Sequence, residues 1–160
     1  MFQANFPRLF RFMDRLTGEP DLAADLAQEA FVKLYHRGSF PDRPEAWLVT
    51  VALNQLRNVK SSSRRRVRLL TPSRAEGVHS DPPPAPDQVA EAEASRGRVR
   101  AAIDRLPERE RELLLLSAEG YSYRDIAATL ALNEASVGVF LSRARTAFRE
   151  LYAGDPSASH

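Results

Sequence analysis

Two helix-start signals set close together, at Ser122 and Asn133, constrain the fold of this chain more than any other feature. Ser122 followed three residues on by Asp125 has the form of a capping box, so a helix is expected to open there. Its first amides would be held by the Ser hydroxyl and the Asp carboxylate. Leu130 is expected to end it, and Asn133 to cap a second helix. In that helix Val137, Leu141, Ala144, Phe148 and Leu151 recur in steps of four and three, the spacing of one buried stripe. Two helices joined by so short a turn read as a helix-turn-helix. In such a pair the second helix enters the major groove of DNA and the first crosses the phosphate backbone.

Composition narrows the surroundings of this motif. The 160 residues carry a formal net charge of +2 and no Cys, so disulfides, thiol nucleophiles and thiolate zinc sites are excluded. A reducing compartment is the natural reading. No apolar run suggests a membrane span or a signal peptide, which places the chain in the cytoplasm. Between about Arg64 and Gln88 the sequence is rich in Pro and charge and keeps neither a helical nor a strand period. The chain therefore divides into a helical block over 1–66, a flexible linker over 67–88, a second helical block over 89–153 and a disordered tail over 154–160. At about 3.3 Å per extended residue, such a linker would let the blocks sit far apart on a partner. The expected fold is all-α: two small helical domains, a three-to-four-helix bundle followed by the helix-turn-helix domain.

Three helices are expected in the first block. Phe6, Leu9, Phe10, Met13 and Leu16 form the stripe of the first, which stops near Thr17-Gly18. The second runs from near Asp21 to Gly38, with Leu22, Leu26, Ala30 and Leu34 beside Ala23, Ala27, Phe31 and Tyr35 on its apolar side. Asp25, Gln28 and Glu29 lie on its polar side. The third opens at Asp42-Arg43-Pro44-Glu45, read as a cap, a first-turn Pro and a returning carboxylate. Its stripe would be Leu48, Val51, Ala52, Leu56 and Val59. Thr50, Asn54, Arg57, Asn58 and Lys60 fall away from that stripe and run on into Arg64, Arg65, Arg66 and Arg68, a face suited to nucleic acid. No acidic residue interrupts the sequence from Arg57 to Arg74, which favours phosphate contact over a merely solvated run. His36, His79 and His160 are scattered and form no metal or acid–base group.

Both blocks together resemble the extracytoplasmic-function (ECF) sigma factors of bacterial RNA polymerase. The segment PRLFRFMDRLTGEPDLAADLAQEAFVKLY is similar to the start of that family's second conserved region. AWLVTVALNQLRNVKSSSRRR is similar to its promoter-melting end, and the last third of the chain to its fourth region. The resemblance implies a subunit that binds core RNA polymerase, directs it to promoters and carries no catalytic group or cofactor. Asp25, Gln28 and Glu29 would dock on the clamp helices of the largest polymerase subunit. Trp47, Asn54, Arg57, Asn58, Lys60, Arg64 and Arg65 would meet the minus-ten element as single strand, where extruded bases need stacking surfaces. Duplex contacts at the minus-thirty-five element would fall to Ser122, Tyr123 and Arg124 of the first helix of the pair. From the second they would come from Glu134, Ala135, Ser136, Gly138, Val139, Ser142, Arg143 and Arg145. An anti-sigma protein is a further implied partner, and membrane insertion is not implied.

Some positions depart from the family's pattern. Gly138 and Phe140 stand where members often carry Lys and Arg, so base readout is expected to be weaker and Phe140 to pack. Arg143, Arg145 and Arg149 remain as phosphate-facing cations. Ala131 replaces a turn Gly, and a left-handed Ala would carry about 1–2 kcal/mol of strain, which predicts a turn of another shape. Residue by residue, plainer readings stand beside these: a solvated face for Asp25, Gln28 and Glu29, a core anchor for Trp47, and loop packing for Phe40. Two other functions remain open at the level of sequence. One is a sigma-like decoy for an anti-sigma protein, and the other a helix-turn-helix regulator that acts without polymerase.

Overall fold

A computed structural model describes residues 2–69 and 87–154, with side chains described for 3–62 and 90–154. Its elements are α1 (Phe2–Thr17), α2 (Pro20–Arg37), α3 (Pro44–Leu69), α4 (Asp87–Arg105), α5 (Glu108–Ala118), α6 (Tyr123–Leu130) and α7 (Glu134–Ala153). The described residues contain no strand. Helix therefore occupies both ends of the 67–88 span, and positions 70–86 and 155–160 lie outside the described residues, as do His79 and His160.

Local chemistry sets the helix ends. Gly18 and Gly38 close α1 and α2 in the left-handed conformation, at φ 73° and 82°, where a side chain would be strained. Pro20 and Pro44 sit at first helical positions, where the missing N–H costs nothing. The opening of α3 differs from the expected one by a residue. The carbonyl of Arg43 accepts the first turn's bond from the Trp47 N–H at 2.9 Å, so Arg43 and not Asp42 occupies the cap position. Arg111 satisfies the end of α4, donating to the carbonyls of Ile103, Asp104 and Leu106 at 2.9–3.1 Å.

In the first block α2 packs between α1 and α3, while α5, α6 and α7 form the second, with α4 laid against α7. The blocks do not stand apart. α1 packs on α5 and α3 on α6, and one continuous core joins them. Phe12, which the period reading left out, is fully buried and meets the Tyr121 ring edge-on at 6.4 Å. Burying a side chain of this size stabilises by about 1.5–3 kcal/mol. The same reading missed Val49 and Leu53, both buried in α3. It also assigned too much to the core: Tyr35 is 90% exposed and Val59 36%. Both lie at the edges of stripes whose centres, Leu26, Ala30, Leu34, Ala52 and Leu56, are buried as expected.

Candidate nucleic-acid interface

The α6–turn–α7 unit is built by its caps. The Asp125 N–H donates to Ser122 Oγ at 3.0 Å, and the Ala135 N–H to Asn133 Oδ1 at 3.1 Å. Only the Ser half of the predicted capping box forms, because the Asp125 carboxylate turns to Arg43. Ala131 adopts the left-handed conformation at φ 57°, ψ 47°, so the turn keeps its left-handed shape in spite of the strain expected of an Ala there. Surrounding bonds hold it there: the Leu132 N–H donates to the Ala127 carbonyl at 2.9 Å, and Arg109 donates to the Leu130 carbonyl at 3.1 Å. Fixed interactions on both sides offset the strain of the Ala.

Val137, Leu141 and Ala144 turn α7 inward and are fully buried. What remains outward is the expected reading face: Glu134, Ala135, Val139, Ser142, Arg143 and Arg145 are exposed, with Ser136 and Gly138 half-covered. Ser122, Tyr123 and Arg124 are exposed at the start of α6. Arg124 reaches Glu134 at 3.4 Å, tying the two helices together at their N-terminal ends. A Cβ at Gly138 would meet the Tyr123 ring at 3.6 Å, an ordinary contact, so packing inside the protein does not require Gly there. Phe140 packs partly on the core with the Arg143 guanidinium 6.0 Å from its ring centroid, in line with the expectation that it packs.

On the first block, Asp25, Gln28 and Glu29 are all exposed along one side of α2. Beside them an open groove of about 950 Å³ is lined by Gln28, Val32, Tyr35, His36 and Phe40, among others. Phe40, expected to pack, is 67% exposed. Trp47 is partly buried against the core with the Arg37 guanidinium 5.7 Å from its ring centroid. Asn54, Arg57 and Asn58 are exposed on α3 with Lys60 half-buried beside them, and Arg57 donates to Asn54 Oδ1 at 3.1 Å. Arg64 and Arg65 belong to α3 by their backbone, but their side chains lie outside the described residues.

Polar contacts that the sequence did not foretell join the two blocks. Arg43 binds the Asp125 carboxylate at 2.8 Å, and Thr129 Oγ1 donates to the Ala46 carbonyl at 3.3 Å. Arg57 lies 3.7 Å from the Glu112 carboxylate. Arg11 and Arg15 share the carboxylate of Glu119, the former at 2.8 Å. Arg8 stacks 4.2 Å from the centroid of the Tyr121 ring, and Arg100 caps the end of α1 through the carbonyls of Arg15 and Leu16. Burial, reinforced by Glu108, pushes the Glu112 carboxyl up despite the opposing pull of Arg57. Burial also raises the Tyr121 phenol to about 12. Among the described residues no group of three or more metal-ligating side chains is assembled. Nor is any of their helices long and apolar enough to cross a membrane.

Comparison with known proteins finds the same two blocks. Residues 1–66 match the family model for sigma-70 region 2, and residues 96–148 that for sigma-70 region 4. The ECF RNA polymerase sigma factor EcfG of Rhodopseudomonas palustris is 36% identical over 147 residues, covering 89% of this chain and 78% of the relative. The RNA polymerase sigma factor CnrH of Cupriavidus metallidurans is 33% identical over 141 residues, covering 82% of this chain and 73% of the relative. Among solved structures, the sigma factor RpoE of Bartonella quintana, crystallised with the anti-sigma factor NepR, superposes with a TM-score of 0.69 at 25% identity. That match covers 96% of this chain and 95% of the other.

Proposed function

Because the chain belongs to the ECF sigma factors of RNA polymerase, we propose that it joins the core enzyme and directs initiation through two separate DNA-binding surfaces. In this reading residues 1–66 dock on the polymerase and hold the minus-ten element open. Residues 89–153 anchor on the minus-thirty-five duplex, and 67–88 join the two. The observation that carries the reading is the division of labour on α7: Val137, Leu141 and Ala144 of its apolar stripe are buried and Phe148 and Leu151 half-buried, while the opposite face, Glu134 to Arg145, is left to solvent. A helix capped at Asn133 and presented in this way fits a major groove.

On the first block, Asp25, Gln28 and Glu29 form a charged, hydrogen-bonding face suited to the polymerase clamp. Asn54, Arg57 and Asn58 offer amide and guanidinium groups to an unpaired strand, and Trp47 an aromatic edge. The polymerase supplies the chemistry; this subunit supplies location and strand opening. An anti-sigma protein is the second partner, a reading supported by the likeness to RpoE, which was solved with one. Paired variants test the assignment. Asp25→Lys with Glu29→Lys is expected to reduce core binding by tenfold or more. Asn54→Ala with Arg57→Ala is expected to retain core binding and lose permanganate-reactive open promoter. Unchanged core binding in the first pair would remove the docking role, and undiminished opening in the second would remove the melting role.

A further inference from the structure

The first two turns of α7, Glu134 to Leu141, contain no Lys, Arg, Asn or Gln, the side chains that pair with two atoms of a purine edge. Glu134, the one charged residue in those turns, is engaged by Arg124 at 3.4 Å. The buried stripe removes Val137 and Leu141, and Phe140 packs partly on the core. What these turns present outward beyond Glu134 is small or apolar: Ala135, the half-covered Ser136, and Val139, which is 53% exposed. Val139 lies four residues after Ala135 and four before Arg143, so the three share one side of the helix.

We propose that Val139 reads the C5 methyl group of a thymine in the duplex upstream element. This rests on the assignment of α7 as the duplex-reading helix. A major groove displays a single apolar feature, the thymine methyl, and an exposed branched apolar side chain on the groove-facing side is its complement. The cations around it mark the occupant as DNA and not a protein. Arg143 is exposed one turn beyond Val139 on the same side of α7, and Arg145 and Arg149 are exposed farther along the helix, where phosphates bordering the groove would lie. Discrimination by an apolar contact differs in kind from guanine reading by a guanidinium: it is lost when the methyl is lost, with every hydrogen-bonding group of the base unchanged.

Uracil supplies that test, since it is thymine without the methyl. Holoenzyme assembled from core polymerase and the full chain is titrated against a promoter found by mapping its start sites. The upstream element is synthesised with thymidine or with deoxyuridine at each thymine in turn. The wild-type chain is expected to lose about fourfold in affinity at one position, the worth of burying one methyl group. Val139→Ala, which improves helix propensity and leaves the buried stripe intact, is expected to bind the two DNAs within twofold of each other. Equal affinity of the wild type for both DNAs, an upstream element without thymine, or an undiminished preference in Val139→Ala would each overturn the proposal. If deleting the whole upstream element leaves binding unchanged, the duplex-reading assignment of α7 itself has failed, a result visible before any uracil is introduced.

Discussion

Ala131 holds a conformation that L side chains rarely adopt, φ 57° and ψ 47°, in the turn between the two helices of the DNA reader. The strain is of order 1–2 kcal/mol, and a Gly would release it while adding some freedom to the unfolded chain. Ala131→Gly is therefore expected to stabilise the protein by about 0.5–1 kcal/mol, measured as a shift of the urea midpoint without a change in slope. Loss of stability would mean that the Ala methyl makes a contact worth more than the strain. The strain is legible from the Ala alone, whereas the bonds that hold the turn against it are not. Bonds from Leu132 and Arg109 hold the turn, and the one from Arg109 comes from a helix twenty-one residues earlier than the carbonyl it meets. At the same scale the caps at Ser122 and Asn133 were legible because a capping bond spans two or three residues. The Asp125 carboxylate was not, because its partner Arg43 is 82 residues away.

Helix α5 brings the buried Glu112 against α3, where Arg57 approaches at 3.7 Å. Desolvation outweighs that partner and leaves the carboxyl above its ordinary range. The folded protein thus holds this proton more tightly than the unfolded chain does. Charged Glu112 weakens the fold at neutral pH, and the penalty lifts as pH falls through the raised folded pKa toward the unfolded value near 4.5. Glu112→Gln is accordingly expected to melt at a higher temperature than the wild type at pH 7, with the advantage shrinking toward pH 4.5. A lower melting temperature at pH 7 would show that the Arg57 pairing dominates. Periodicity located the helices of the first block and the middle of each stripe but misjudged the edges, placing Tyr35 and Val59 inside and omitting Phe12, Val49 and Leu53. A stripe's centre is set by its own helix. Its width depends on how many neighbours pack against it, and the second neighbour of α1 is α5, far along the sequence.

At the scale of the whole molecule the blocks are closed on one another. Arg43 to Asp125, Thr129 to the Ala46 carbonyl and Phe12 on Tyr121 join surfaces that the sequence had set apart. Promoter elements centred near minus ten and minus thirty-five lie about 85 Å apart at about 3.4 Å per base pair. If the two blocks engage these two elements as proposed, promoter binding is expected to separate them. The chain has no Cys, and single cysteines introduced at the exposed Asp21 and Ala153 would accept a dye pair. High energy transfer is expected in the free protein, and low transfer once core polymerase and promoter are added. Unchanged transfer would show that the closed arrangement is the working one.

The most direct test of the account is transcription in vitro from fragmented genomic DNA of the organism that carries the gene, with core polymerase alone and with this protein added, followed by mapping of the RNA starts. The account predicts new starts that share two spaced upstream motifs and appear only when the protein is present. The same starts with and without it, despite measured binding to the core enzyme, would contradict a promoter-specificity role.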